Sequence, residues 1–225
     1  MFKFKGKSST EMGVVIEEEQ LFLAKASQKY ETIDINGRDG SIFNELGYSN
    51  VEIPMNVQIL NPRKLDAIFE WLNGSGEFEY NGRITKAYFY NDISPQRMVT
   101  IQNAEITFIR SPFWKKKDAV FETITNKVVN DGNVPSNPII RLEKGTSNNV
   151  DITVANIRFQ YTFNTDESYV EIDCQECFAS YNNLNRNRNL KIGFAFPKIY
   201  PGQNLVTIHS GDPIIKIKDK DRWLW

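Results

Sequence analysis

The residues with most chemistry to offer are Cys174 and Cys177, spaced C-x-x-C, and the single histidine, His209. Zinc at such a cysteine spacing needs a second thiol pair or two histidines, and the chain holds 2 cysteines and 1 histidine in all. A redox pair of the thioredoxin kind opens a helix in a βαβ setting, whereas these thiols lie in an apolar, strand-like run. On a strand, side chains at that separation point to opposite faces, so the pair reads as two ordinary thiols. His209 has no acid or nucleophile marked beside it, and general base catalysis needs one in reach; it reads as a strand residue near a turn. Glu17–Glu19 reads as a solvated strand end, because the aspartate-rich loop of an EF-hand is missing. The glycines sit at turns rather than between a strand and a helix, so no phosphate loop is present. Lys115–Lys117 is too short a basic run to argue nucleic acid. No catalytic residue, metal ligand or cofactor-binding residue is assigned. A cell-wall hydrolase, the third reading, would need two carboxylates placed for acid and base work, a separation that only the fold sets.

What must position any site is a mainly β chain. Its 225 residues fit one large β domain or two smaller ones. Hydrophobic residues at 40% against 24% charged allow a packed core and exclude wholesale disorder. Aromatic residues reach 12%, a level that favours strands and large contact surfaces. The net charge of −1 gives no electrostatic reason to expect nucleic acid or an anionic membrane as partner. No apolar run approaches the ~20 residues that span a bilayer, and the first residues alternate like a strand rather than a secretion signal. With two cysteines there is no disulfide framework, and the chain reads as one folded in a cytoplasm.

One helix is predicted, over Asn61–Gly74. Leu65, Ile68, Phe69 and Leu72 fall on one face, Asn61 suits the N-cap, Pro62 the first turn and Gly74 the stop. A stripe this short cannot bury itself and must lie across a sheet. Before it, Val14–Ile16 is a β-branched run and Gln20–Ile35 alternates, so that Val14–Ile35 predicts a long hairpin arm. Asn36-Gly37-Arg38-Asp39-Gly40 supplies turn signals, and Tyr48–Leu60 is a strand with Val51, Ile53, Met55, Val57 and Ile59 on one face. Glu77–Tyr80, Lys86–Tyr90 and Val99–Ile109 follow as strands, the first two separated by the Asn81-Gly82 turn.

Composition shifts after Trp114, which places a domain boundary between Trp114 and Asn126 and divides the chain into 1–120 and 121–225. The second half is a run of short strands: Ile139–Glu143, Asp151–Val154, Ile157–Phe163, Tyr169–Cys174, Cys177–Tyr181, Lys191–Phe196, Leu205–His209 and Ile214–Lys218. Near-regular short strands with turns between them predict a β-sandwich. Asn130–Asn137 and Asn182–Asn189 read as loops.

The order of these features resembles the distal tail protein family of long, non-contractile-tailed phages. The matching pieces are Phe2–Gly6 with Ser8-Ser9 and Met12-Gly13, the Gly37–Gly40 turn, the helix ending in Trp71-Leu72, the aromatic strand Lys86–Ile93 and Ile106–Trp114. In the second half they are Tyr169–Cys174, Phe196-Pro197, Tyr200–Asn204 and the terminal Trp223. The resemblance implies an N-terminal β domain with one α-helix and a projecting hairpin arm, followed by a C-terminal galectin-like β-sandwich. It implies a structural virion protein, assembled in the host bacterial cytoplasm. Six copies would form a ring that joins the tail tube to the tip or baseplate, with DNA passing through the centre without specific binding. No membrane insertion, cofactor or enzymatic activity is implied. The chain is shorter than the family's larger members, with no extra domain inserted in its second half, which speaks against a dedicated carbohydrate-binding insertion.

The expected contacts between copies are Val14, Val15, Ile16, Leu21, Leu23, Arg38 and Asp39, on the arm and its turn. The resemblance also implies that the second domain docks receptor-binding parts of the tail. The alternative is a carbohydrate-binding module assisting host attachment, with Tyr200, Trp223 and Trp225 as the aromatic platform.

Overall fold

The computed structural model describes residues 1–17, 22–97 and 102–225, without the side chains of 94–97 and 102. Two compact units are present: Met1–Lys117 with Leu224–Trp225, and Asp118–Trp223. The chain is mainly β, as the sequence predicts.

In the first unit the strands are β1 (Lys3–Phe4), β2 (Lys7–Ser8), β3 (Val14–Ile16), β4 (Gln28–Asp34), β5 (Ser41–Tyr48) and β6 (Val51–Ile59). They continue with β7 (Gly74–Tyr80), β8 (Arg83–Phe89), β9 (Ser94–Arg97), β10 (Gln102–Arg110) and β11 (Trp114–Lys116). The main sheet runs β2-β1-β7-β8-β10-β6-β3, with β9 beside β10 and β11 beside β8. Strict alternation in β6 buries Val51, Ile53, Met55, Val57 and Ile59 and turns Glu52, Pro54 and Asn56 outward. Its ladder with β10 runs unbroken from Val51↔Arg110 to Ile59↔Gln102. Asn81 and Gly82 join β7 to β8 with φ of 49° and 72°, the two positive values that a tight hairpin turn of this twist requires.

Val14–Ile16 does not belong to the arm. It pairs with Val57–Ile59 at the end of the main sheet, and Val14 is buried. The part of the predicted strand at 99–101 and the residues 18–21 lie outside the described residues. Ahead of β3, a single helical turn α1 (Ser9–Met12) is closed by a capping box: Glu11 N–H donates to Ser8 Oγ, and Ser8 N–H donates to the Glu11 carboxylate at 2.8 Å.

The predicted helix is a short 3₁₀ turn, Pro62–Lys64, followed by α2 (Leu65–Trp71). Asn61 caps it through Arg63 N–H at 3.1 Å. Its buried face is Ile68, Trp71 and Leu72, with Leu65 and Phe69 only half-buried. The rotation from the expected stripe has a physical cause. The buried Trp71 indole donates to the Phe4 carbonyl at 2.7 Å and stacks on Phe2, tying the helix to β1. Around it lies an aromatic core of Phe2, Phe4, Phe22, Phe78, Phe89, Phe108 and Trp114. Phe22 meets the rings of Phe2, Phe78, Tyr80 and Phe108 edge-on at 5.2–5.9 Å.

The two buried tryptophans make a test. Trp114 Nε1 is buried without a hydrogen-bond partner among the described residues, whereas Trp71 Nε1 is bonded. Trp71→Phe strands the Phe4 carbonyl and is expected to destabilise the first unit by about 1–3 kcal/mol beyond the loss of bulk. Trp114→Phe removes an unsatisfied donor and escapes that penalty. Urea midpoints of the two variants should therefore differ, with Trp71→Phe the lower; equal midpoints would refute the assignment.

The second unit contains β12 (Glu122–Ile124), β13 (Lys127–Asn130), β14 (Ile139–Glu143), β15 (Asn149–Val154), β16 (Ile157–Thr162) and β17 (Tyr169–Asp173). After these come β18 (Phe178–Tyr181), β19 (Leu184–Asn185), β20 (Leu190–Ile192), β21 (Gly202–Ser210), β22 (Ile214–Lys218) and β23 (Arg222–Trp223). Two sheets, β12-β22-β14-β17-β18-β19 and β13-β21-β15-β16-β20, face one another across a single apolar core. Ile140, Leu142, Val170, Ile172, Ile215 and Ile217 come from one sheet, and Val150, Ile152, Val154, Phe159 and Val206 from the other. Gly211, at φ 82°, lies where an added Cβ would stand 2.6 Å from the Asn149 carbonyl oxygen, so the β21–β22 corner admits only glycine.

Candidate functional site

The arm is the feature that the first unit does not use for itself. Among the described residues β4 and β5 pair only with each other, from Gln28↔Tyr48 to Asp34↔Ser41. The register shifts beside Lys29 and Tyr30, where Leu46 has no partner and Gly47 takes φ 97°. At the tip Arg38 N–H donates to the Ile35 carbonyl at 3.1 Å around Gly37. The arm is therefore Gln28–Tyr48, later in the chain than the Val14–Ile35 expected from sequence.

Cross-strand partners share a face of the ribbon. On one face Tyr30 and Phe43 meet edge-on at 5.4 Å, and they are 60% and 64% exposed. On the other, Ile33 stands opposite Ile42, both exposed. Ile35 and Leu46 add further exposed apolar surface. Every residue of β4 is exposed. A two-stranded ribbon with no core beneath either face is marginal in water by itself.

The root of the ribbon is fixed. Ser49 N–H donates to the Ser27 carbonyl at 2.8 Å, closing the neck. Tyr48 packs edge-on against Phe113 at 5.3 Å. Arg110, at the end of β10, is fully buried. Its guanidinium donates to the carbonyls of Phe22 at 3.1 Å, Ala24, Ser111 at 2.9 Å and Pro112 at 3.3 Å, and lies 5.2 Å over the Trp114 ring. Desolvation lowers its pKa to about 10, so it stays charged at neutral pH.

Of the residues expected between copies, Arg38 and Asp39 are exposed at the arm's tip, Val15 and Leu23 are exposed off the arm, and Ile16 is half-buried on β3. Val14 points into its own unit's core, and Leu21 lies outside the described residues. Sequence reading passed over Tyr30, Ile33, Ile42, Phe43 and Leu46, which carry the exposed apolar surface. The expected aromatic platform divides between the units. Tyr200 is exposed and Trp223 half-buried in the second unit. Trp225 is grouped with the first, where Lys25 Nζ lies 5.9 Å over its ring and Arg83 Nη1 donates to its carbonyl at 2.8 Å.

The second unit's buried polar cluster centres on Glu167, a residue with no role in the sequence reading. Arg186 donates to it, Tyr161 Oη donates at 3.1 Å, and Asn164 donates from its backbone at 2.9 Å and its side chain at 2.8 Å. On the exposed face of β15–β16, Arg158 forks onto Asp151 at 2.8 and 2.7 Å and Gln160 adds 2.8 Å. His209 Nε2 lies 2.8 Å from Thr153 Oγ1. Cys174 and Cys177 are not within a strand as expected; they bracket the turn between β17 and β18, Cys174 buried and Cys177 at φ 57°. Burial pushes the Cys174 thiol up. Among the described residues no three acidic, histidine or cysteine side chains gather to hold a metal, and no helix is long and apolar enough to cross a membrane.

Residues 131–223 match the family model of the siphovirus-type tail component, C-terminal domain. That match lies within the second unit, and it is a similarity to the family. Its fold is similar to the crystal structure of the SPP1 Dit protein, described as a paradigm of the hub adsorption apparatus in phages infecting Gram-positive hosts. That likeness has a TM-score of 0.79 at 12% identity and covers 98% of each chain. A chain of the phage p2 baseplate in its activated conformation is similar at a TM-score of 0.48 and 10% identity, over 94% of this chain and 92% of that one. No curated protein sequence matches.

Proposed function

We propose that the chain is the ring-forming hub of a phage tail tip. Six copies close around an axis, joining the tail tube to the host-adsorption apparatus and leaving a central channel for DNA. The observation that carries this reading is the Gln28–Tyr48 ribbon, with large apolar side chains exposed on both faces. Contiguous exposed apolar surface on a protein of this kind marks a protein interface. A hairpin's unpaired edges are templates for strand addition. A contact in which the arm of one copy meets the body of the next is head-to-tail, and such contacts close into a ring where the rotation allows. With a net charge of −1 the chain offers DNA no general attraction, which suits passage without binding. The sandwich serves as a platform for other baseplate or receptor-binding parts, and the hub works without catalysis.

Mass measurement in solution with negative-stain imaging tests this. The expected result is a ring six times the mass of the 26.0 kDa chain. A stable monomer at high concentration, with no ring in assembled tail tips, would overturn it.

A further inference from the structure

We infer that Arg110 is the positioning residue that aims the arm, holding both of its roots to the body from one buried guanidinium. This rests on the reading of the arm as the contact between copies.

The geometry is specific to the arm. The chain approaching the ribbon passes Arg110 at Phe22 and Ala24, whose carbonyls accept from Nε and Nη2. The chain leaving it ends at Tyr48, which packs on Phe113. Phe113 follows directly on Ser111 and Pro112, whose carbonyls accept from Nη1. One planar, five-donor group thus ties the incoming segment, ahead of β4, to the segment that seats the outgoing strand. That segment is itself fixed to β8, since Ser111 N–H donates to the Lys86 carbonyl at 2.8 Å and Thr85 Oγ1 donates to the Phe113 carbonyl at 2.8 Å. Among the described residues the acceptors of Arg110 are backbone carbonyls, and its guanidinium lies over the Trp114 ring. Lysine cannot replace it, because a single ammonium cannot reach carbonyls on both sides of the fork.

A ribbon only seven or eight residues long per strand moves its tip by several ångströms for a small change of angle at its root. Loss of aim therefore weakens association without removing any contact residue.

Three proteins test the inference beside the wild type: Arg110→Lys, an insertion of two glycines between Ala24 and Lys25, and a deletion that joins Ser27 to Ser49 without the ribbon. The insertion leaves Arg110 and its four carbonyls in place but uncouples them from the arm, so it stands even where Arg110→Lys fails to fold. Sedimentation and hydrogen exchange are read on each. The insertion is expected to weaken association at least ten-fold while β6 and β10 keep wild-type protection. Arg110→Lys is expected to do the same and to lose protection around Lys25–Ser27. Wild-type association of the insertion protein, alongside a deletion protein that fails to associate, would overturn the inference and leave the arm as the contact. A deletion protein that still forms the wild-type assembly would overturn the arm reading, and the inference with it.

Discussion

Ile33→Asp combined with Phe43→Asp is expected to abolish assembly while leaving the core of the folded chain as stable as in the wild type. The two residues stand on opposite faces of the ribbon, and each is exposed. Among the described residues Phe43 packs on Tyr30 and Ile33 stands opposite Ile42, so the loss stays within the ribbon, at about 0.2–1 kcal/mol for each cross-strand pair, and does not reach the core. At an interface the same side chains would be anchors, and loss of an anchor costs about 2 kcal/mol or more. Two such losses weaken association by about a thousand-fold. The single variants say more than the pair. If both faces are covered in the ring, Ile33→Asp and Phe43→Asp each weaken association, by about thirty-fold. If one face stays wet, only one of them does. Sedimentation equilibrium on the three variants, with thermal melts as the control for folding, reads both outcomes. Unchanged association in the double variant would remove the arm from the interface.

Much of this fold was legible because its signals are local. The alternation of Val51–Ile59 survives intact as β6, and Asn81-Gly82 makes the turn its residue types demand. In the sandwich, Ile139–Glu143 and Ile214–Lys218 form with the predicted bounds. What escaped was decided by distant partners. Val14–Ile16 reads as a strand wherever it pairs, and only β6 places it in the main sheet instead of the arm. The ribbon itself mixes polar and apolar residues on both faces, so period two could not show which face, if either, was covered. The helix turned toward Trp71 because its indole found the Phe4 carbonyl, a bond across 67 residues. β12 and β13, at three and four residues, are too brief to show a period. Asn182–Asn189 hides a hairpin turn, with both Asn182 and Asn183 at positive φ, that delivers Arg186 to Glu167. Arg110 carries no signal at all: an arginine ending a strand is normally wet, and its burial follows from carbonyls that the fold gathers from two separate segments.

The sandwich makes the other large prediction, Glu167→Gln. The wild-type carboxylate is fully enclosed, its Arg186 partner mostly so. Glutamine keeps the shape and can still accept from Tyr161 and Asn164, but it removes the countercharge and turns an amide N–H toward a guanidinium. Breaking a buried pair from one side costs about 3–5 kcal/mol, and with Arg186 partly wet the lower end applies. The variant should also change the acid limb of stability. Burial alone would raise the pKa of Glu167, but the bonds from the Asn164 backbone, Arg186, Tyr161 and the Asn164 side chain together hold it below the usual carboxylate range. A carboxyl whose folded pKa is lowered contributes stability that is fully present above its unfolded pKa, and that stability is lost as pH falls through the folded value. Asp151, held down to about 2 by Arg158 and Gln160, adds to the same limb. Wild-type stability is therefore expected to fall from about pH 4 towards pH 2, more steeply than that of Glu167→Gln, which has one such group fewer. Melts of the two proteins at pH 7, 4 and 3 decide it: the gap between them must narrow as the acid rises, and a constant gap would mean that Glu167 is not ionised in the folded sandwich.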